Sequence, residues 1–265
     1  MRRNQLFWGI ALLLVGGLML ANEMGIKLPN GMSLSELFWP LILIFGGVWV
    51  LVGVFLRGNI ETEDASIDLQ GANTASIKIS HGAGELKIRS GANANELAHG
   101  SFAGGLDHKA TRNGDRLEVR MKPAKDVMDF PFFGPHAQLD WDVALNPEIP
   151  TALTLNVGAN KSMLDLRDLN ITDFKLETGA SETRLTLPAR GRFRADLDLG
   201  AASLEVTIPD GLSARIRASL GAADIKIDES RFPRSGGYYQ SSDYDSAANA
   251  VDMTIDAGAA SIKVK

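Results

Sequence analysis

The chain has 265 residues, a net charge of −5 and no cysteine. After residue 57 it carries 30 Asp/Glu against 23 Lys/Arg. An acidic body without a basic stripe is repelled by phosphate backbones, so nucleic acid is excluded as a partner, and without cysteine a structural zinc site has no basis. The first 57 residues differ in kind from the rest, and two units are expected: 1–57 in the membrane and 58–265 outside the bilayer.

Leu6–Ala21 is an uninterrupted apolar run, and Leu37–Leu56 has 20 residues without a charge, long enough to cross about 30 Å of hydrocarbon. Spans are expected over about 6–22 and 37–56. A cleaved signal peptide is the alternative for the first, although Met19-Leu20-Ala21 is a poor small-x-small site. The two runs resemble each other: Leu6-Phe7-Trp8 leads to Gly16-Gly17, and Leu37-Phe38-Trp39 to Gly46-Gly47. Gly9 and Gly16 lie seven apart, as do Gly46 and Gly53, giving each helix a smooth stripe for packing as a two-helix hairpin. Arg2, Arg3 and Arg57 flank the spans while the connection has only Lys27, so both termini and the body are expected on the cytoplasmic side.

Beyond the membrane segment, Ile77-Lys78-Ile79, Leu86-Lys87-Ile88 and Leu117-Glu118-Val119 alternate as strands, with Gly71-Ala72, Gly82-Ala83 and Gly91-Ala92 at irregular spacing. Asp129–Pro135 then places Phe130, Phe132 and Phe133 among prolines, where the rings either cap a stacked core or form an apolar docking patch. From residue 158 the pattern becomes strict. Gly158-Ala159, Gly179-Ala180, Gly200-Ala201 and Gly221-Ala222 recur every 21 residues, and Gly258-Ala259 follows after a longer interval.

Large apolar residues alternate on both sides of each pair, so every repeat supplies about two short strands, and Pro188 and Pro209 turn the chain at one shared offset. Such units bury their apolar faces only against neighbours, which predicts a β-solenoid-like stack with Gly158, Gly179, Gly200, Gly221 and Gly258 at the corners. Glycine there serves positive φ or close backbone approach, and the alanine is expected where layers stack. Tyr238, Tyr239 and Tyr244 cluster in the loop before the last unit, either contacting a partner or packing over a sheet edge. The final Ser261–Lys265 is expected to be an edge strand blunted by its lysines.

His81, His99, His108 and His136 have no metal-ligand spacing and are expected at the surface. Ser241, Ser242, Asp243 and Asp245 lack a calcium-loop pattern, Gly82-x-Gly84 lacks a P-loop lysine, and no Gly-x-Ser-x-Gly elbow occurs. No catalytic residue, metal or cofactor is assigned, and a non-enzymatic chain is expected.

The paired Leu-Phe-Trp to Gly-Gly segments, Gly82–Ile88, Trp141–Pro147, the Gly-Ala repeats and Gly237–Asp245 together resemble the LiaF-like bacterial cell-envelope stress proteins. The resemblance covers nearly the whole chain. It implies a small transmembrane region followed by a toast-rack β domain of the DUF4097 or DUF2154 type. It also implies a regulatory role in envelope-stress signalling, often beside a histidine kinase. A homo-oligomeric scaffold that self-associates through strand edges is the alternative.

Overall fold

The computed structural model describes residues 16–17, 61–124 and 139–265. Of the expected hairpin, only Gly16 and Gly17 fall within these, and both are helical. Gly9, Gly46, Gly53, Phe130, Phe132, Phe133 and His136 lie outside the described residues. The chain divides into two compact units, Met1–Gly58 with Phe132–Pro135, and Asn59–Pro131 with His136–Lys265. Among the described residues no helix is long and apolar enough to cross a membrane.

Among the described residues the second unit is one 15-stranded sheet system. Its strands are β1 (Thr62–Asp68), β2 (Thr74–Ser90), β3 (Glu96–Ala103), β4 (Leu106–Asn113), β5 (Arg116–Pro123), β6 (Trp141–Leu145), β7 (Thr151–Asp165), β8 (Ile171–Thr186), β9 (Arg192–Thr207), β10 (Ser213–Leu220), β11 (Asp224–Ile227), β12 (Arg234–Ser235), β13 (Tyr238–Gln240), β14 (Ala250–Ala257) and β15 (Ser261–Val264). The expected pairs of short strands are, in β2 and β7–β9, two arms of one long strand running through the Gly-Ala pair. These long strands stack in parallel, β2 on β7 on β8 on β9. The loosely repeating Ile77-Lys78-Ile79 and Leu86-Lys87-Ile88 are the two arms of β2.

Burial parity explains the Gly-Ala pair. In β9 the buried positions are Phe193, Ala195, Leu197 and Leu199 before the pair, then Ala202, Leu204 and Val206 after it, and the buried Ile208 just past the strand end keeps the same parity. The pleat thus slips by one residue at Gly200-Ala201. Since side chains alternate with period two, only a slip at the bend lets both arms face a single core. The slip recurs in β8, where Phe174 and Leu176 precede it and Thr183 and Leu185 follow. All these apolar residues belong to one cluster.

The corner glycines serve close approach, and none has a positive φ. A Cβ on Gly179 would lie 3.2 Å from Gly158 O, one on Gly200 2.9 Å from Gly179 O, one on Gly258 3.1 Å from Gly200 O and one on Gly221 3.0 Å from Gly258 O. At Gly158 it would overlap Gly82 O. The following alanines are not between layers: Ala159, Ala180, Ala201, Ala222 and Ala259 are exposed, because the pleat slip turns both residues of the pair outward.

The glycine row also fixes spatial order. Gly258 stacks on Gly200, and Gly221 stacks on Gly258, so the fifth pair lies between the third and the fourth. Accordingly β14 and β15 pair with β9 on one side, and with β10 and β11 on the other. The expectation of a terminal edge at Ser261–Lys265 is therefore corrected: β15 is interior, and β11 takes the outer place. A short parallel strand cannot reveal from its own residues how many neighbours it has.

The first coil is capped by two antiparallel groups, each joined to β2 through a parallel strand, β5 or β6. The β5–β4 hairpin lies beside one arm of β2, and β6, β3 and β1 extend from the other. Trp141 is buried there, its ring edge-on to Phe102 at 4.9 Å.

Candidate functional site

Across the corner of the first coils runs an open cleft of about 480 Å³, lined by Ser80, His81, Gly82, Lys122, Asn156, Gly158, Glu177, Gly179 and Asp198 among others. Bare glycines form its floor, and the outward side chains two residues earlier form its bank. Registration of β7, β8, β9 and β14 places Asn156, Glu177, Asp198 and Asp256 side by side. Adjacent like charges repel, and Glu177 is relieved by Lys175, whose Nζ lies 2.6 Å from its Oε1. That hydrogen bond holds the Glu177 carboxyl below the usual carboxylate range and raises Lys175 above the ordinary lysine value. The cleft therefore offers one lysine at its β5 end and carboxylates toward β9.

Behind this floor the interior is unexpectedly polar. His81 is 1% exposed, contrary to the expected surface histidine, and its parity is shared with Ala75, Ile77 and Ile79. The alternation of Ser76–His81 carried that signal. His81 Nε2 lies 2.7 Å from Leu139 O. A carbonyl can only accept, so Nε2 donates, and Nδ1 is left as an acceptor without a partner. Burial pushes the imidazole below its ordinary pKa, opposed by the Leu139 hydrogen bond and the Asp140 charge. Its ring sits 5.3 Å from Trp141.

The repeated scaffold allows equivalent positions to be compared. The inward row at the corner reads His81, Val157, Thr178, Leu199, Ala257 and Leu220 across successive strands. Beyond the corner, Ser162 and Thr183 are followed by Leu204 and Ile262. Polar side chains thus cluster in β2, β7 and β8, and apolar ones take over from β9. Among the described residues the side-chain atoms buried without a partner, His81 Nδ1, Asn156 Oδ1, Asn160 Oδ1 and Thr178 Oγ1, fall on the same three strands. Among the described residues no three His, Asp or Glu side chains gather as a metal cluster.

The tyrosine loop packs on a sheet edge. Gln240 and Tyr239 of β13 register with Arg215 and Ile216 of β10. Tyr244, expected as partner surface, is buried at 6% exposure. Arg215 stacks over its ring at 4.2 Å, and Arg192 at 5.5 Å. Tyr238 and Tyr239 remain half-buried. The polar residues of this loop are committed inside the fold: Ser213 Oγ donates to Asp243 Oδ1 at 2.8 Å, Ala214 N to Ser241 Oγ at 3.0 Å, and Arg215 pairs with Asp245 at 3.0 Å. His99 is half-buried and His108 exposed.

Two family models match the sequence in order: the LiaI-LiaF-like transmembrane region over residues 6–51, and the N-terminal domain of toast_rack, DUF2154, over residues 56–207. The second match ends with the last residue of β9. Among solved structures, a candidate cell adhesion protein from Clostridium sporogenes ATCC 15579 superposes with a TM-score of 0.67 at 20% identity, covering 77% of this chain and 98% of that one. This similarity concerns the fold. A candidate adhesin from Bacteroides fragilis NCTC 9343, 7% identical, covers 77% of this chain and 96% of its own with a TM-score of 0.32, too low to carry an argument. No curated protein sequence matches the chain.

Proposed function

The chain belongs to the family of the N-terminal domain of toast_rack, DUF2154, and on that premise we propose that it is a membrane-anchored regulator of bacterial envelope-stress signalling, acting by protein contacts without catalysis. The observation that carries this reading is the order of the two family matches, a LiaI-LiaF-like transmembrane region joined directly to the toast-rack domain. The hairpin contacts membrane partners through the stripes at Gly9, Gly16, Gly46 and Gly53, and a histidine kinase is the partner class. Arg2, Arg3 and Arg57 support a cytoplasmic β domain.

The reading is tested by capturing the tagged full-length chain from native membranes and following an envelope-stress reporter in cells lacking it. Recovery of a histidine kinase with an altered reporter response is expected; no kinase and an unchanged response refute it. Protease added outside intact cells is expected to spare residues 58–265, and digestion there reverses the orientation.

A further inference from the structure

The described part of the sheet has four free edges, β1, β4, β11 and β12, and three are guarded. The only charged side chains of β1 are Glu63, Asp64 and Asp68, so a second β1 is repelled. β4 is exposed on both faces over most of its length, and β12 has two residues. β11 is different. Its Ile225 and Ile227 are half-buried, while Ile262 and Val264, beside them on β15, are 2% and 1% exposed. The tyrosine loop covers β10 but stops short of β11, so the last coil is capped over one arm only.

Backbone direction and charge specify what completes this arm. Asp224 N donates to Ala260 O and Asp228 N to Val264 O, both toward β15. The alternate residues Ala223, Ile225 and Ile227 therefore point their N–H and C=O outward. On the solvent face Lys226 stands beside Lys263, and among the described residues neither Asp224 nor Lys226 has an ion-pair partner.

We propose that β11 pairs antiparallel with β11 of a second copy, about a two-fold axis at Ile225. This register sets Ile225 opposite Ile225 of the other copy with both backbone bonds exchanged. It continues the apolar face through Ala223 opposite Ile227, and places Asp224 opposite Lys226 twice. A shift of two residues puts Lys226 opposite Lys226, or Asp224 opposite Asp224, and a shift of one turns the isoleucines against charged residues. The contact is short, and membrane anchoring supplies the high effective concentration that sustains it. The pairing stands apart from the regulatory reading: the kinase capture can fail while this contact holds, and the reverse.

The natural chain has no cysteine, so a single one reports unambiguously. Directly opposed residues exchanging both bonds have Cα atoms about 5.5 Å apart, within disulfide reach. In full-length protein oxidised in native membranes, Ile225→Cys is expected to form a covalent dimer and Lys226→Cys to remain monomeric. Asp224→Lys and Lys226→Asp, each added to Ile225→Cys, are expected to cut the cross-linked fraction roughly tenfold, and the double exchange to restore it. The restored double variant separates lost pairing from lost folding. A monomeric Ile225→Cys, preferential cross-linking through Lys226→Cys, or failure of the double exchange to rescue overturns the proposal.

Discussion

The glycine row predicts that one substitution has opposite effects at adjacent places in the stack. At Gly158 a Cβ meets Gly82 O well inside contact distance, and that atom is backbone in the facing strand, unable to swing aside. At Gly82 the same Cβ finds nothing within 4 Å. Gly→Ala lowers the conformational freedom of the unfolded chain at both sites, which stabilises by about 0.4–1 kcal/mol. Forcing a methyl into a closed contact costs about 1–3 kcal/mol. Gly158→Ala is therefore expected to lose about 1–2 kcal/mol, and Gly82→Ala to gain up to about 1 kcal/mol. For a β unit of this size that is a fall in Tm of about 2–8 °C against a rise of up to about 4 °C. Thermal unfolding of the full-length chain in detergent, followed by the β signal in circular dichroism, reads both. Equal melting of the two variants would show that the row relaxes freely and that close approach is not why glycine stands there.

Because burial lowers the His81 pKa in the folded state, the unfolded state binds more protons below the ordinary value of 6.5, and stability falls on acidification from there. The slope is at most about 1.4 kcal/mol per pH unit. Between pH 6.5 and 5, above the range of Glu177 and Glu205, His81→Phe is expected to flatten the dependence of urea midpoint on pH, and an unchanged slope refutes the assignment. Tyr244→Leu keeps apolar bulk but removes the ring beneath Arg215 and Arg192, with an expected loss of about 1 kcal/mol. Amide exchange at Ser241, which donates to Ala214 O, is expected to accelerate; unaltered exchange means the stacking does not hold the loop.

Period and alternation were legible in the sequence because they are local. The 21-residue spacing marked the corners, and residues such as Phe174, Leu176, Leu185 and Leu187 marked the buried faces of both arms. Parity also marked His81 as inward, although its residue type argued for the surface. Gly179 and Ala180, identical in kind to Gly258 and Ala259, carried no mark of stacking order. Which coil lies beside which depends on pairing between segments distant in the chain, so only the tertiary structure inserted β14 and β15 between β9 and β10–β11. The same applies to Tyr244, whose burial follows from the β10 edge beneath it. Sequence determines how each strand alternates and bends, through side-chain period and glycine. Neighbour identity, and hence which edge stays open, is a property of the assembled sheet, because every parallel strand here offers the same backbone groups to whatever lies beside it.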